Sequence, residues 1–376
     1  MTTRHLAALL GLVAVTTLGA ASPAAAETSH AATQAALNSY LAHAGPGASV
    51  FAGDATGSWT VRSGTATPGK NVAIQPTDHF RVASQTKTFT AATVLQLVDE
   101  GAVELDAPIE RYLPGVVTGN GYDGTLITVR QLLNHTSGIP ENQTAPSPDA
   151  GPDGVYSLLE LVRDGLSRPP VFAPGGGFQY SNTNYQILGL LIEAVTGQPA
   201  EDAITARIIT PLGLTGTYFP AAGDHNVAAP ALHGYEGGRL GPAYFWLDRT
   251  TWLDPSLLRT AGSLVSAQAD LTRFHQALAA GEVVSPASLA EMRETTAIPG
   301  GSHSTTGDGG GMGLFRLDLP CGGQAWGHAG DTKGWSSLTM VTDDGRHASL
   351  VTNALVNNTE APTRYTVVET ALCEGR

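Results

Sequence analysis

The chain has 376 residues, with 20 Lys and Arg against 33 Asp and Glu and a formal net charge of −13. Hydrophobic residues make up 42 % and charged residues 14 %, which is enough apolar material for a sizeable core and excludes an intrinsically disordered chain. The acidic balance and the lack of Lys/Arg patches exclude nucleic acid as a partner, because phosphate binding needs clustered cations.

Met1 to His5 is a short basic start. It is followed by an apolar run from Leu6 to about Ala21 and by Ser22-Pro23-Ala24-Ala25-Ala26. This is the pattern of an export signal over residues 1–26, cleaved before Glu27. Gly11, Thr16, Thr17 and Gly19 interrupt the run, and it is short for a membrane span. The mature chain is therefore expected to be secreted and without a span. Two cysteines remain, Cys321 and Cys373. An even pair in an exported chain favours a disulfide over two buried thiols. The closed loop of about 53 residues is worth ~4 kcal/mol in the chain-entropy model. Neither cysteine has a second Cys or a His at metal-ligand spacing, which argues against zinc.

After the signal, Ala31–Ala44 reads as a helix, and Ala48–Ala52 and Trp59–Ser63 as strands around the turn cluster Gly53–Gly57. Ala91, Ala92, Val94, Leu95 and Val98 give Thr88–Asp99 an apolar helical face. From about 101 to 300 the pattern is one of short helices joined by Pro- and Gly-rich loops: Val129–Asn134, Val155–Gly165, Thr183–Thr196, Ala200–Ile209, Gln268–Ala280 and Pro286–Glu294. The polar loop Pro140–Pro152, with Asn142, Ser147 and Asp149, is long enough to rim a site. Strand patterns return at Met312–Leu317, Gln324–Gly327, Ser336–Thr342 and His347–Val356, with the turn Asp343-Asp344-Gly345 between the last two, and Ala361–Leu372 is a closing helix. Strands at both ends with helices between predict one sheet fed by both termini and a helical insertion.

Ser84-Gln85-Thr86-Lys87 opens the Thr88–Asp99 helix. Residues three apart share a helix face, so the hydroxyl and the amine can meet. A desolvated, neutral Lys can serve as base for a Ser nucleophile, whose developing charge the helix N-terminus favours. The chain has only three lysines, Lys70, Lys87 and Lys333, which adds weight to one standing in a motif. Read alone, the motif is more simply a helix-capping Ser and a solvated Lys. Tyr180-Ser181-Asn182 precedes the Thr183–Thr196 helix; the phenol can relay protons and the amide can orient Lys87, or Asn182 simply caps the helix. His328-Ala329-Gly330-Asp331 follows a strand-like run whose small residues let a substrate backbone pair with the edge. His135 reads as part of a helix end turning into a loop.

Ser-x-x-Lys, Tyr-x-Asn and His-x-Gly in this order resemble the serine β-lactamase and penicillin-binding-protein superfamily. The nearest branch is that of the class C β-lactamases and exported actinomycete D-alanyl-D-alanine carboxypeptidases. Leu132–Pro140, Phe172–Gly175, Tyr180–Tyr185, Pro211–Leu214, Ala261–Leu264 and Gly327–Gly330 carry the likeness across nearly the whole mature chain.

The resemblance implies an α+β fold: a central antiparallel sheet from both chain ends, helices on both faces, and an inserted, mostly helical region. It implies one catalytic domain over 27–376, with 27–88 and about 301–376 containing the sheet and about 89–300 mostly helical. It also implies a disulfide between Cys321 and Cys373, and acyl transfer without metal or cofactor. In that chemistry Ser84 is the nucleophile, Lys87 and Tyr180 share the acid and base work, Asn182 binds Lys87 and the acyl side chain, and His328 lines the site. The backbone N–H groups of Ser84 and Asp331 form the oxyanion hole, and Phe315, Ala329, Gly330 and Lys333 border the substrate.

The expected activity is that of an exported D-Ala-D-Ala carboxypeptidase-like serine peptidase. Esterase, β-lactamase or D-aminopeptidase-like hydrolysis are the alternatives on the same scaffold, and a non-catalytic penicillin sensor is a remote one. The expected partner is a small-molecule or peptide substrate (stem peptide, ester or β-lactam), and the protein is expected to be monomeric. One departure bears on substrate. Phe315 stands where the family's carboxypeptidases carry an Arg for the free carboxylate, and the adjacent Arg316 falls on the opposite strand face. Ala329 and Asp331 replace hydroxyl residues. An Asp there is expected to repel an anionic substrate end unless Lys333 folds back; a surface pair of Asp331 with Lys333 is the simpler reading.

Overall fold

The computed structural model describes residues 30–141, 154–240, 243–298, 307–355 and 362–376. The expected export signal and all of the loop Pro140–Pro152 beyond Glu141 lie outside the described residues. Among the described residues no helix is long and apolar enough to cross a membrane.

Seven strands form one antiparallel sheet: β1 (Gly47–Asp54), β2 (Gly57–Gly64), β3 (Gly309–Gly310), β4 (Phe315–Asp318), β5 (Gln324–Thr332), β6 (Trp335–Thr342) and β7 (His347–Thr352). Their order is β2-β1-β7-β6-β5-β4-β3. The N-terminal hairpin thus adds to the C-terminal strands, with Ala48 opposite Thr352 and Val50 opposite Leu350. Both chain ends feed the sheet, as the strand pattern predicts.

Nine α-helices are described: α1 (Ala31–Ala44), α2 (Thr86–Asp99), α3 (Val129–Leu133), α4 (Leu158–Leu166), α5 (Asn182–Thr196), α6 (Ala200–Ile204), α7 (Gln268–Ala279), α8 (Pro286–Arg293) and α9 (Arg364–Cys373). The sheet separates two cores. On one face α1 and α9 bury Leu37, Tyr40, Tyr365 and Val368 against Val50, Leu338 and Leu350. On the other, residues of α2, α5 and α7 gather around Phe89, Tyr185 and Phe274 and reach Trp326, Trp335 and Val351. Every residue of β6 and β7 is buried, because both faces of the sheet are covered; Leu338, Met340, Ala348 and Leu350 point to the α1 and α9 core, with Ser337, Thr339, His347 and Ser349 buried between them. Cys321, in the turn between β4 and β5, is bonded to Cys373 at the end of α9, with Cα atoms 5.6 Å apart.

Several boundaries differ from the sequence reading for local reasons. Helix α4 starts at Leu158 because Ser157 and Glu160 form a capping box there. The Ala200–Ile209 segment is α-helical only to Ile204 and then widens into a π-helical turn over Thr205–Ile209. Strand β4 starts at Phe315, and β5 runs five residues past Gly327 to Thr332. The middle region also holds a hairpin, Tyr235–Leu240 paired with Ala243–Asp248, in a stretch read as loop between the expected helices.

Helix α2 is buried from Thr86 to Leu95 despite its polar content. Its hydroxyls are satisfied by distant parts of the chain: Thr88 Oγ1 donates to Gly313 O at 2.6 Å and Thr90 Oγ1 to Thr260 O at 2.7 Å. This is the rigid element that carries the lysine of Ser-x-x-Lys.

Candidate active site

Ser84 sits in a one-turn 3-10 segment, Ala83–Gln85, which runs directly into α2. Ala83 adopts φ 48°, an uncommon conformation for a non-glycine residue, and it kinks the chain between the short strand Phe80–Arg81 and the helix. The kink is held by Val82 N donating to Leu264 O at 3.1 Å and by Thr86 Oγ1 donating to Ala83 O at 2.7 Å. Lys87 follows in the first turn of α2. Its Nζ reaches Ser84 Oγ at 3.2 Å, Asn182 Oδ1 at 2.5 Å and Ala261 O at 2.8 Å.

Lys87 is completely buried. Burial pulls its amine down to about 7, and the charge of Glu141 opposes that shift. A substantial neutral fraction therefore exists near neutral pH. Tyr180 stands two residues before α5, and its hydroxyl is hydrogen-bonded to Ser84. Burial drives the phenol well above its usual range, so it remains protonated. The Lys87 ammonium nitrogen lies 4.8 Å from the centre of its ring. Ser181, not Asn182, caps α5: its side chain accepts from Asn184 N. That frees the Asn182 amide, at the first helical position, for Lys87.

Two residues at the site escaped the sequence reading. Glu141 accepts from Asn182 Nδ2 through Oε1 and from Asn182 N through Oε2, the latter at 3.2 Å. It thereby sits on the N-terminus of α5, where negative charge is favoured, although burial raises its carboxyl above the ordinary range. His135 is the other. Its Nδ1 accepts from Ser181 N at 3.2 Å, and its ring lies 4.5 Å from that of Tyr180. Burial, with the Lys87 charge, keeps this imidazole neutral. Glu141 directly follows the Leu132–Pro140 segment, and that adjacency was its only signal.

His328 on β5 faces the same side. Its ring is 6.4 Å from Tyr180 and 4.9 Å from Phe315, and Phe315 is 6.4 Å from Tyr180. Nδ1 lies 2.5 Å from Ala329 O, so that nitrogen carries the proton. Burial and the Lys87 charge bring the imidazole down to about 3, which keeps it neutral. Gly330 permits the close approach of β5 to the Ser84 turn: a β-carbon there would stand 1.9 Å from Val82 O. Strand β4 pairs β5 only as far as Gly327, so beyond that point this backbone edge, including Asp331, has no strand partner.

The structure thus brings Ser84, Lys87, Tyr180 and Asn182 together, with His328, Phe315 and Gly330 around them. Three expectations are corrected. Ala329 turns its methyl to the opposite face, against the core under α1 and α9, because alternate strand residues point oppositely. The Asp331 carboxylate also points to that face, where Arg364 binds it at 2.5 Å and Ser336 Oγ at 2.6 Å, so it does not confront a substrate. Lys333 neither folds back to the site nor pairs with Asp331; its ammonium lies 4.3 Å over the Trp252 ring. Arg316 bonds Asp318 and Thr295, as the strand alternation predicts.

A hydroxyl within reach of a depressed amine and a protonated phenol, beside an open strand edge, is a constellation for nucleophilic acyl transfer. The chain belongs to the Beta-lactamase family, whose profile matches residues 25–372, and is a serine hydrolase of the β-lactamase and penicillin-binding-protein superfamily. Among its relatives, Penicillin-binding protein 4 of Amycolatopsis lactamdurans is 33 % identical over 307 residues, covering 77 % of this chain and 76 % of that protein. The D-stereospecific amidohydrolase from Streptomyces sp. superposes with a TM-score of 0.79 at 38 % identity, over 92 % of this chain and 98 % of that one. The D-amino acid amidase from Ochrobactrum anthropi SV3, in complex with L-phenylalanine, gives 0.76 at 27 % identity, over 91 % and 96 %.

Proposed function

We propose that this chain is an exported amidohydrolase with one catalytic domain over 27–376, acting through an acyl-enzyme on amides and esters of D-amino acids that bear a free α-amino group. One observation carries the substrate class: among the described residues a carboxylate, Glu141, stands at the site, on the opposite end of the Asn182 amide from Lys87. A buried carboxylate gains from a cationic partner, such as an α-ammonium, and rejects an anionic one. At the position of the carboxypeptidase Arg stands Phe315, packed on His328. The 38 % identity to a D-stereospecific amidohydrolase supports the stereochemistry. The Cys321–Cys373 bond agrees with an oxidising, extracellular setting.

In the reaction, Ser84 Oγ attacks the substrate carbonyl and passes its proton to neutral Lys87 at 3.2 Å. The N–H groups of Ser84 and Asp331 take the oxyanion, worth ~3 kcal/mol per donor. As the C–N bond breaks, Tyr180 protonates the leaving amine, and Lys87 restores the phenol. Water then attacks the ester and gives a proton to Lys87, and Ser84 leaves reprotonated.

Carboxypeptidase action on D-Ala-D-Ala stem peptides is the second reading, favoured by the identity to Penicillin-binding protein 4. The mature protein is to be assayed on D-phenylalanine amide, a D-Ala-D-Ala peptide and its amide, nitrocefin and a p-nitrophenyl ester, alongside Ser84→Ala. Preference for the amides, with fluorophosphonate labelling lost in Ser84→Ala, is the expected result. A strong preference for the free-acid peptide selects the second reading, and labelling that survives Ser84→Ala removes the nucleophile.

A further inference from the structure

Helix α9 is tied to β5 at both ends. Its last residue, Cys373, is bonded to Cys321 in the turn that leads into β5. Its first residue, Arg364, reaches the other end of the strand. Nη1 donates to Asp331 Oδ1 at 2.5 Å and to Ser336 Oγ at 2.8 Å, and Ser336 Oγ donates to the same carboxylate oxygen at 2.6 Å. Tyr40 of α1 closes the cluster through hydrogen bonds to Ser336 and Thr352. The Arg364 side chain is 16 % exposed and that of Asp331 42 %, so the pair is only half-shielded and its worth to overall stability is modest.

Its position matters more. From His328 onward β5 has lost β4, and its pairing is with β6 alone. The strand then ends in the turn Lys333-Gly334, where Gly334 has φ 98° and its backbone lies close against that of Gly234. An oxyanion donor must stand 2.7–3.1 Å from the charge it stabilises, and an error of about 1 Å costs roughly 100-fold in rate. With one edge unpaired, this strand end draws on contacts outside the sheet ladder to hold such tolerance. The Asp331 carboxylate, on the face opposite the site, acts as a handle on the same residue's N–H.

We propose that Arg364 is a positioning residue. Through Asp331 and Ser336, from the far face of the sheet, it fixes the strand end that presents the Asp331 N–H to the acyl carbonyl. This rests on the reading of that N–H as an oxyanion donor.

The test uses the mature, oxidised protein with Arg364→Met and Arg364→Lys. D-phenylalanine p-nitroanilide serves as substrate, a D-phenylalanine-derived boronic acid as transition-state analogue, and amide hydrogen exchange of Ala329–Thr332 as an activity-independent readout. For Arg364→Met, kcat is expected to fall roughly 10- to 100-fold with KM within about twofold. Boronate affinity is expected to fall in step, and exchange of the strand end to speed up. Arg364→Lys, which keeps the cation, recovers part of each. Wild-type kcat and exchange in folded Arg364→Met overturn the proposal, as does a fall in kcat without weaker boronate binding. Should Arg364→Met not fold, Arg364→Lys decides: unchanged kcat, boronate affinity and exchange count against the proposal, and a partial loss of all three supports it. Failure of the parent reading looks different: wild-type protein inert to substrate and fluorophosphonate alike, with the exchange comparison still judging the Arg364 contact.

Discussion

Lys87 and Glu141 hold opposite ends of one amide: Lys87 Nζ donates to Asn182 Oδ1, while Asn182 Nδ2 donates to Glu141 Oε1. The cation and the carboxylate are thus coupled through Asn182. Each favours the charged form of the other, against burial that disfavours both. Glu141→Gln removes the negative partner but preserves the shape. The Lys87 amine should then fall below about 7, and the acidic limb of kcat/KM for an N-acetylated ester should move to lower pH. KM for D-phenylalanine amide should rise roughly tenfold, while that for the N-acetylated ester should stay within about twofold. Equal KM changes for both substrates would remove the ammonium role of Glu141.

Base and acid work separate experimentally. Lys87 must be neutral to accept the Ser84 proton, so kcat/KM should climb with pH through about 7. Lys87→Arg, which does not deprotonate, should cost about 100-fold or more on every substrate. Tyr180→Phe should cost about 100-fold on an amide, whose leaving nitrogen needs a proton, and much less on a p-nitrophenyl ester, whose leaving group departs as an anion. Parallel losses on amide and ester would take the leaving-group role from Tyr180.

The parts of the site governed by short-range geometry were legible in the sequence. Ser84 and Lys87 meet because they are three residues apart at a helix start, and Asn182 follows Tyr180 into α5. The bounds of α1 followed from its apolar spacing, and the sheet from the strand patterns at both ends. What stayed hidden depends on tertiary contact. Glu141 lies 41 positions from Asn182, in a loop without periodicity, and His135 sits at a helix end with φ 63°, where only the fold shows its ring against Tyr180. Gly330 and Asp331 look like turn residues, yet they extend β5. The glycine is there for the approach of Val82, and the aspartate is anchored by Arg364, a partner that no local pattern announces. The hairpin at Tyr235–Asp248 was concealed by Gly237 and Gly238 in its first strand.

Gly330→Ala tests that close approach directly. With Val82 O only 1.9 Å from the new methyl, either β5 or the Ser84 turn must shift, since backbone on both sides leaves no flexible group to yield. The variant should lose about 100-fold in acylation rate and roughly 1–3 kcal/mol of stability, as overpacking does. Stopped-flow acylation with a chromogenic ester, together with a denaturant titration, measures both. A variant with unchanged acylation would mean that β5 and the nucleophile turn are not positioned by this contact.

Acid should weaken the fold before it reaches ordinary carboxylates. His275 on α7 and His328 on β5 are both buried, and burial brings each imidazole from 6.5 to about 3. The unfolded chain takes up these protons below 6.5, whereas the folded chain refuses them until about 3. Their contribution is therefore fully present above 6.5 and is lost progressively as pH falls through that window, by at most about 1.4 kcal/mol per pH unit per group. Between pH 6 and pH 4.5 the slope should be visible in denaturant titrations. His275 makes its ring contact with Phe274, and burial also holds His135 and His347 below 6.5, so His275→Leu should flatten the slope by roughly a quarter to a third. An identical slope in wild type and His275→Leu would show that this histidine is solvated or protonated in the folded protein, contrary to its burial.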